Sequence, residues 1–281
     1  MEPEGFVNFQ SASSINDIHE PIFVHPAIQH RIIKFICCII RGLDTVTKLS
    51  IILPAYNEEE NLCRVDGELI PVLETYGIDY EIIIVDDGSK DNTLDIAEKL
   101  ASGNKRIIVA KHERNMGLGA AIQTGIKRAT SYWLITLDSD FTFHPNQIPA
   151  LLKRFEIGDV DCVIGSPALC PSKGKIPLYR IILSRSVNSI YSILLGKKLT
   201  AISPIFRIYK TEQLKELELS SYGFDINAEI LFKLLKNGKR VVEIPALLTV
   251  RIHGESKLNN VKEIKNHLIL IRKIIVWRIT E

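Results

Sequence analysis

The chain has 281 residues and a formal net charge of +2; 46% of its residues are hydrophobic and 24% are charged. This length fits one large domain or one domain with appendages, and the composition is that of a globular protein with a sizeable core. Because the charge is nearly balanced, it gives no general argument for nucleic-acid binding, and we expect no nucleic-acid partner.

Cysteine usage and hydropathy indicate the cellular setting. The five cysteines are odd in number and lack paired metal-ligand spacing, which indicates reduced thiols in a cytosolic protein. No stretch approaches the roughly 18–20 consecutive apolar residues of a membrane-spanning helix. Glu2 and Glu4 stand where a signal peptide needs basic residues, so we expect neither a signal peptide nor a membrane span.

Residues 1–47 are predicted to precede the main domain as a leader and an amphipathic helix. Residues 1–27 have no hydrophobic periodicity and contain three prolines, which indicates a loosely ordered leader. Residues 28–43 are predicted to be helical, with basic residues as their only charges. Such a helix is compatible with a lipid interface and also with docking on the main domain.

From residue 48 the pattern changes to strands that alternate with helices. Apolar runs predict strands at Leu49–Leu53, Tyr80–Val85, Arg106–Ala110 and Tyr132–Leu137. Helices are predicted between them at Glu58–Tyr76, Asn92–Ala101 and Gly117–Thr130. This order predicts an α/β fold, a mostly parallel, doubly wound sheet with helices on both faces.

Polar residues follow three of the four predicted strands. They are Pro54-Ala55-Tyr56-Asn57-Glu58, Asp86-Asp87 and Asp138-Ser139-Asp140. Ligands of doubly wound sheets bind beyond the carboxyl ends of the strands. We therefore expect these segments to form one site, although each could also be a simple turn with solvated side chains.

The two aspartates after the fourth predicted strand indicate a metal site. Deep burial does not tolerate two unpaired negative charges, so a positive group is needed beside Asp138 and Asp140. Mg²⁺ and Mn²⁺ take oxygen ligands and share them with a diphosphate. Because the chain lacks both a G-x-G-x-x-G turn after its first strand and a Walker A sequence, any nucleotide would be held by side chains and a metal.

Four motifs occur in order along the chain: Ser50–Leu62, Ile84–Thr93, Asn115–Ala121 and Asp138-Ser139-Asp140. Together they resemble the family 2 inverting glycosyltransferases, which have the GT-A (Rossmann-like) fold. Residues of the second half strengthen the resemblance to the polyprenyl-phosphate sugar synthases, such as the dolichol-phosphate mannose and glucose synthases. These residues are Asp161–Ser166, Phe206-Arg207, Gly223-Phe224, Glu229, Glu243–Pro245 and Arg251–Lys257. The resemblance predicts a GT-A domain at residues 48–257.

The resemblance implies a role for particular residues. It places the nucleotide-sugar against Pro54, Tyr56, Glu58, Asp86, Asp87, Asn115, Gly117 and Asp138. It implies that Asp138, Asp140 and Arg207 are catalytic, with Mg²⁺ or Mn²⁺ on the two aspartates. It places the acceptor phosphate against Arg180, Arg207, Arg251 and Lys257.

The implied reaction is inverting transfer of a sugar from a GDP- or UDP-linked donor to a polyprenyl (dolichyl) phosphate at the cytoplasmic membrane face. Two departures from the family pattern leave alternatives open. Ala201 stands where relatives with hydroxyl acceptors use a carboxylate, which favours a phosphate acceptor but also allows a non-catalytic relative. Phe141-Thr142-Phe143 replaces the Leu-Gln-His of many mannose synthases, so a third protein ligand for the metal is not identified. A soluble family member with a hydroxyl acceptor is the remaining alternative.

Residues 258–281 form the last predicted segment, an amphipathic helix. Apolar residues at helical spacing from Val261 to Ile275 alternate with basic residues, and Trp277 lies near the end. This pattern is typical of a helix in a membrane interface, and an ordinary docking helix is the alternative. The prediction is therefore a peripheral membrane protein; the oligomeric state is not predicted.

Overall fold

A seven-stranded sheet forms the centre of the structure, a computed structural model that describes residues 48–170, 188–251 and 260–280. The strands are β1 (Leu49–Ala55), β2 (Tyr80–Asp86), β3 (Ile107–Lys111), β4 (Trp133–Thr136), β5 (Cys162–Ser166), β6 (Arg207–Lys210) and β7 (Val241–Pro245). Their order across the sheet is β3-β2-β1-β4-β6-β5-β7.

Most neighbouring strands are parallel. The pairs β3–β2, β2–β1, β1–β4 and β5–β7 are parallel, whereas β6 is antiparallel to both β4 and β5. The predicted mostly parallel α/β sheet is confirmed. The sequence prediction covers the first four strands, and β5 to β7 extend the sheet beyond β4.

Helices cover both faces of the sheet. They are α1 (Glu59–Leu62), α2 (Ile70–Thr75), α3 (Thr93–Gly103), α4 (Leu118–Arg128), α5 (Ile148–Glu156), α6 (Thr211–Lys215), α7 (Ile226–Lys236) and α8 (Asn260–Thr280), and residues 188–195 are also helical. The single helix predicted at Glu58–Tyr76 is wrong in detail, because a π-helical turn at Val65–Leu69 separates α1 from α2. Pro71 provides the reason, since proline lacks an N–H and its ring clashes with the preceding helical turn.

The central strands are buried on both sides. All seven residues of β1 and of β2 are buried. Leu49, Ile51 and Leu53 pack into the core shared with α1, α3 and α5, whereas Ile52 packs into the core shared with α4, α7 and α8. Alternate residues of a strand point to opposite faces, so a strand covered on both faces is apolar throughout.

Pro54 lies inside β1 without breaking the sheet. The ladder between β1 and β4 ends at Ile52 paired with Thr136, and Leu137 donates one further hydrogen bond to the Ile52 carbonyl. Pro54 lies two residues later and faces the same side, where β4 has already ended. Its missing N–H therefore costs no ladder hydrogen bond.

A buried carboxylate ties the opposite edge of the sheet together. Glu81 accepts hydrogen bonds from Ser50 Oγ at 2.5 Å, from Thr130 N at 2.6 Å and from the Ser131 hydroxyl at 3.1 Å. Burial by itself would raise the pKa of Glu81, but the hydrogen bonds from Ser50 and Thr130, with the charge of Lys48, lower it to about 2. The carboxylate thus fixes β1, β2 and the turn before β4 at the amino-terminal edge, away from the predicted site.

The two terminal predictions have different outcomes. Residues 1–47, predicted to hold a leader and a helix, lie outside the described residues. The predicted C-terminal helix is present as α8. Within residues 48–170, 188–251 and 260–280, no helix combines the length and the apolar character needed to cross a membrane.

The hydrogen bonds of Glu81 predict a pH-dependent stability. Glu81→Gln should lower the free energy of unfolding at pH 7 by roughly 2–3 kcal/mol, because the folded-state pKa of about 2 lies below the ordinary value of 4.5. This stabilisation is present above the unfolded-state pKa and is lost as the pH falls through the folded-state pKa. Urea unfolding of both proteins should therefore show a difference that shrinks between about pH 4.5 and pH 2.

The control for this prediction is Glu98→Gln, the same chemical change at an exposed position of α3. It should change the free energy of unfolding by no more than about 0.5 kcal/mol at any pH. A difference between wild type and Glu81→Gln that stays constant over the whole pH range would contradict the assignment.

Candidate active site

The carboxyl ends of β1, β2 and β4 meet at one edge of the sheet. Ala55 at the end of β1 pairs with Asp86 at the end of β2, and Thr136 at the end of β4 pairs with Ile52. The polar segments that follow these strands are therefore neighbours, as parallel strands require. The three motifs predicted from their positions in the sequence do come together.

Asp138 and Asp140 lie in a tight turn after β4. Phe141 N donates to the Asp138 carbonyl at 3.1 Å, and Thr142 N donates to Asp140 Oδ1 at 2.9 Å. Phe141 is buried and has a φ of 52°, a left-handed conformation that is rare for a bulky residue. Backbone of this kind costs on the order of 1–3 kcal/mol and persists where the surroundings enforce it, often at functional sites.

A second segment lies alongside this turn and brings an arginine to it. Thr249 N donates to the Thr142 carbonyl at 2.8 Å, and the Gln147 side chain bonds the backbone N–H and carbonyl of Leu247 at 2.6 and 2.9 Å. The chain then reaches Arg251. Its Nε and Nη2 each lie 2.7 Å from Asp140 Oδ2, and its Nη1 lies 3.2 Å from Glu58 Oε1.

The site concentrates negative charge in a poorly solvated place. Glu58 and Asp140 are buried, and Asp138 is half-buried. Burial, with the neighbouring carboxylates of Asp140 and Glu58, raises the pKa of Asp138 although Arg251 opposes this change. Burial alone would lower the pKa of Arg251, but Asp140 and Glu58 raise it, so this arginine stays charged.

The segments after β1 and β2 are cross-linked. Asn57 N donates to Ser89 Oγ at 2.9 Å, and Lys90 N donates to Asn57 Oδ1 at 2.8 Å. Glu58 N donates to Thr93 Oγ1 at 2.8 Å. These bonds hold the predicted nucleotide-binding segments in one relative position.

Asp86 and Asp87 differ in what they contact. Asp86 is buried, and the hydrogen bonds that its carboxylate accepts within the described structure are long, at 3.3 and 3.4 Å from Ser89 N. Asp87 accepts strong ones, from Met116 N at 2.9 Å, from Gly117 N at 2.7 Å and from the His112 ring at 2.7 Å. Asp87 therefore shapes the turn before α4, and Asp86 retains more capacity for a ligand.

Gly117 is required where this turn meets the loop before α7. It has a φ of 100°, and a Cβ built on it would lie 2.4 Å from the Tyr222 carbonyl oxygen. Two residues later, Gly119 N donates to the same oxygen at 2.8 Å. The predicted site residue Gly117 therefore has a structural role as well, since no side chain fits there.

Arg207 is enclosed by the protein. It is 0% exposed, and its guanidinium donates to the backbone carbonyls of Pro204 at 2.7 Å, Asn227 at 2.8 Å and Ile202 at 2.5 Å. All three nitrogens of the fork are thus directed at main-chain oxygens. In this structure Arg207 supports the backbone before β6 and the start of α7, and it does not present its charge to a phosphate.

The position of Ala201 is organised by a carboxylate from another strand. Glu243 of β7 accepts hydrogen bonds from Ala201 N at 2.7 Å and Thr200 N at 2.8 Å, and Ser166 contacts the Thr200 hydroxyl at 2.7 Å. The Glu243 carboxylate is occupied by these N–H groups. Its proximity to Ala201 therefore does not restore the missing base at that position.

Asp138 and Asp140 fit a divalent cation by their chemistry. Both supply hard carboxylate oxygens, the ligands that Mg²⁺ and Mn²⁺ prefer. Among the described residues, no group of three or more histidine, cysteine, aspartate or glutamate side chains is placed to hold a metal. Two carboxylates suit a metal shared with a bound ligand better than a metal enclosed by protein.

Two supporting residues were not predicted from the sequence. Arg64 donates to the Asp140 carbonyl at 2.9 Å and forms a fork with Glu68, both bonds at 2.8–2.9 Å. His112 links Asp87 to Thr124, with Nε2 at 2.8 Å from Thr124 Oγ1. The i,i+4 spacing of Arg64 and Glu68 was the one available signal, and it indicates a helical pair without indicating the Asp140 contact.

The remaining predicted residues have varied positions. Pro54 is buried, Tyr56 is half-buried, and Asn115 is exposed near the turn that Asp87 holds. Arg180 and Lys257 lie outside the described residues, so their predicted contacts with the acceptor stay predictions. Glu229, which the sequence does not place in the site, is an ion-pair partner of Lys233 at 2.8 Å.

Comparisons with known proteins agree on the family. The family model described as Glycosyl transferase family 2 matches residues 50–218. The chain is 34% identical to dolichol-phosphate mannosyltransferase of Pyrococcus furiosus over 82% of its own length, and it spans 64% of that protein. It is 32% identical to polyprenol monophosphomannose synthase of Mycolicibacterium smegmatis, over 76% of this chain and 82% of that one.

A solved structure has a similar fold. It is the crystal structure of glucosyl-3-phosphoglycerate synthase from Mycobacterium tuberculosis in complex with Mn²⁺, UDP and phosphoglyceric acid. The TM-score is 0.61 at 19% identity, over 83% of this chain and 78% of that chain. At this identity the similarity supports the GT-A fold predicted above.

The enclosure of Arg207 predicts a loss of stability when it is replaced. Arg207→Met should lower the free energy of unfolding by roughly 3 kcal/mol or more, because three buried carbonyls lose their donor. Urea unfolding measures this loss, and Arg154→Met, at a partly exposed ion pair with Asp159, is the control, with an expected change of at most about 1 kcal/mol. A stable Arg207→Met protein that had lost only its activity would return Arg207 to the phosphate-binding role.

Proposed function

Since the chain belongs to glycosyl transferase family 2, we propose that it moves a sugar from a nucleotide-sugar, GDP- or UDP-linked, to a polyprenyl or dolichyl phosphate. An acceptor phosphate oxygen attacks the anomeric carbon, the bond to the nucleoside diphosphate breaks, and the configuration inverts. The names of the two relatives support the acceptor class.

The observation that carries this proposal is the meeting of Asp140, Glu58 and Arg251 at the edge of the sheet. Carboxylates after β1 and β4 are placed against an arginine 111 residues beyond Asp140. A site with acidic side chains and a phosphate-binding cation within a few ångströms suits two phosphate-bearing substrates. A turn of solvated aspartates would need no such arginine.

The donor is proposed to bind across the segments after β1 and β2. Asp86 would accept hydrogen bonds from the base, because within the described structure its carboxylate accepts long bonds from Ser89 N and keeps acceptor capacity for a ligand. Pro54, Tyr56 and Glu58 would contact the base and ribose, and the cross-links from Asn57 hold these segments in register. Asn115 and Gly117 would also contact the donor. Asp87 would contribute by holding the turn that carries them.

Asp138 and Asp140 would hold Mg²⁺ or Mn²⁺ together with the donor diphosphate. The cation offsets the charge that develops on the leaving nucleoside diphosphate. The similarly folded mycobacterial synthase was crystallised with Mn²⁺ and UDP and also with Mg²⁺ and UDP. Arg64, on the Asp140 carbonyl, orients the turn that carries both aspartates.

Arg251 is proposed to bind the acceptor phosphate, with Lys257 and Arg180 as further candidates. A phosphate monoester has a second pKa of about 6, so its attacking oxygen is already ionised at pH 7 and needs no protein base. Ala201 is compatible with this chemistry. Arg207 is not part of the proposal, because its fork is filled by carbonyls.

The exposed face of α8 is proposed to contact the cytoplasmic face of a membrane. Leu270 and Ile274 are buried against the domain, and Trp277 packs on Phe232 with ring centroids 5.1 Å apart. The opposite face carries exposed apolar residues, namely Ile264, Leu268, Ile269, Ile275, Val276 and Ile279. It also carries exposed Lys265 and Arg272, whereas Lys273 donates to Ser220 of the domain at 3.2 Å. Exposed apolar and basic side chains on one helix face suit an anionic lipid surface, whereas Trp277 is used in docking the helix.

The function is tested by incubating the protein with labelled GDP- and UDP-sugars, Mg²⁺ and a polyprenyl phosphate. A labelled product that extracts into organic solvent is the expected result. Product formed only on a soluble hydroxyl acceptor would establish the alternative of a soluble family 2 transferase. Donor binding without turnover on any acceptor would establish a non-catalytic relative, which Ala201 leaves open.

Asp140→Asn is expected to abolish metal-dependent turnover, because the turn loses one of its two carboxylates. In the organic-extraction assay we expect at least a hundredfold lower rate, about 2.7 kcal/mol of transition-state stabilisation. The control is Asp159→Asn, which removes a carboxylate from a surface ion pair and should keep the wild-type rate. A near-normal rate for Asp140→Asn would remove Asp140 from the site.

Leu268→Glu is expected to weaken binding to vesicles that contain anionic lipid. Leu268 is 60% exposed, so the substitution should leave the fold intact while placing a negative charge on the proposed membrane face. Ile157→Glu is the control, at a position that is 56% exposed after α5. Co-sedimentation that is equal for both variants and wild type would contradict a membrane role for α8.

A further inference from the structure

Arg251 contacts the acidic cluster in a way that affects the order of binding. Its Nε and Nη2 both lie 2.7 Å from Asp140 Oδ2, and its Nη1 lies 3.2 Å from Glu58 Oε1. The guanidinium therefore joins two carboxylates that follow two different strands. It is three-quarters buried, which makes these contacts stronger than those of a surface pair.

Both oxygens of Asp140 are engaged in this arrangement. Oδ1 accepts from Thr142 N at 2.9 Å, and Oδ2 accepts two bonds from Arg251. A cation bound at Oδ2 would lie beside a positive guanidinium and share its acceptor. Metal binding at Asp140 and the present position of Arg251 are therefore in competition.

Arg64 does not provide the same neutralisation. Its guanidinium donates to the Asp140 main-chain carbonyl at 2.9 Å and forms a fork with Glu68. It holds the turn in place through the backbone, whereas Arg251 holds the carboxylate itself. A metal at the Asp140 carboxylate would therefore compete with Arg251 and not with Arg64.

We infer that Arg251 is a displaceable counter-cation, which neutralises Asp140 and Glu58 before the donor arrives and is released when the metal binds at Asp140. The released guanidinium is then free to take an acceptor phosphate beside the donor. This inference rests on the metal and the acceptor of the proposed function, and it adds the order in which they bind. Metal and donor bind first, and their binding completes the phosphate site.

The inference also explains how the cluster is stable without substrate. Three acidic side chains at one edge need a positive partner, because burial of unpaired charges is costly. A fixed metal would serve stability but would not respond to the donor. A displaceable side chain neutralises the carboxylates before the metal binds, and the metal takes over this role at Asp140 afterwards.

The experiment measures Mn²⁺ binding to the full chain without nucleotide or acceptor, by the loss of the free-Mn²⁺ signal in electron paramagnetic resonance. Arg251→Gln should bind Mn²⁺ about tenfold more tightly than wild type, a change of about 1.4 kcal/mol. Arg251→Lys, which keeps the charge but loses the fork, should lie between them. Arg240→Gln, the same charge change at an exposed arginine paired with Asp159, should match wild type.

Thermal unfolding gives an independent readout and checks folding. In the presence of a chelator, Arg251→Gln should melt below wild type because the carboxylates lose their partner. Added Mn²⁺ should raise its melting temperature more than that of wild type, since ligand binding to the native state stabilises it. These measurements need no turnover.

Equal or weaker Mn²⁺ binding by Arg251→Gln, including the case in which neither protein binds, overturns the inference. This outcome together with a lipid-linked product in the transfer assay would leave the proposed function standing. Tighter Mn²⁺ binding by Arg251→Gln without any lipid-linked product would support the displacement of Arg251 by the metal. It would contradict the proposed polyprenyl phosphate acceptor. The two failures are thus distinguishable.

Discussion

The need to neutralise carboxylates at one edge of a buried sheet governs the arrangement of this protein. The parallel strands β1, β2 and β4 bring Glu58, Asp86 and Asp138-Ser139-Asp140 together, and burial makes their mutual repulsion costly. Arg251 meets this need within the described structure by bonding both Asp140 and Glu58. The chain after β7 lies beside residues 142–147, which delivers the arginine to a turn more than 100 residues earlier. The same negative charge density makes the edge suitable for a divalent cation.

A continuous set of contacts links this edge to the C-terminal helix. Asp87 holds the turn at Gly117, and the Tyr222 carbonyl contacts the start of α4 through Gly119 N. From the same loop, Phe224 N donates to Glu263 of α8 at 2.9 Å. The helix with exposed apolar and basic residues is therefore packed directly against the loop that borders the proposed donor side. This is the geometry that an enzyme needs if its acceptor arrives from a lipid surface while its donor arrives from solution.

The sequence predicted the fold and part of the site for identifiable reasons. The alternation of apolar runs with helical stretches predicted the parallel pairing of β1 to β4, and the polar residues at the strand ends predicted which segments meet at one edge of the sheet. Helix interruption by Pro71 and the left-handed Phe141 were not predicted, because each depends on how the surroundings pack. The supporting roles of Arg64 and His112 were also missed, since their partners, Asp140 and Asp87, are 76 and 25 residues away.

Arg207 and Arg251 differ in a way that the sequence did not predict. By itself, the sequence determined that this is a family 2 chain with paired aspartates after a buried strand, because periodicity and short motifs are local properties. It assigned Arg207 and Arg251 alike to phosphate. Only the tertiary structure separated them: carbonyls of Ile202, Pro204 and Asn227 surround Arg207, whereas Arg251 faces the carboxylates. An arginine's role depends on which acceptors the fold brings to its fork, and those acceptors come from distant parts of the chain.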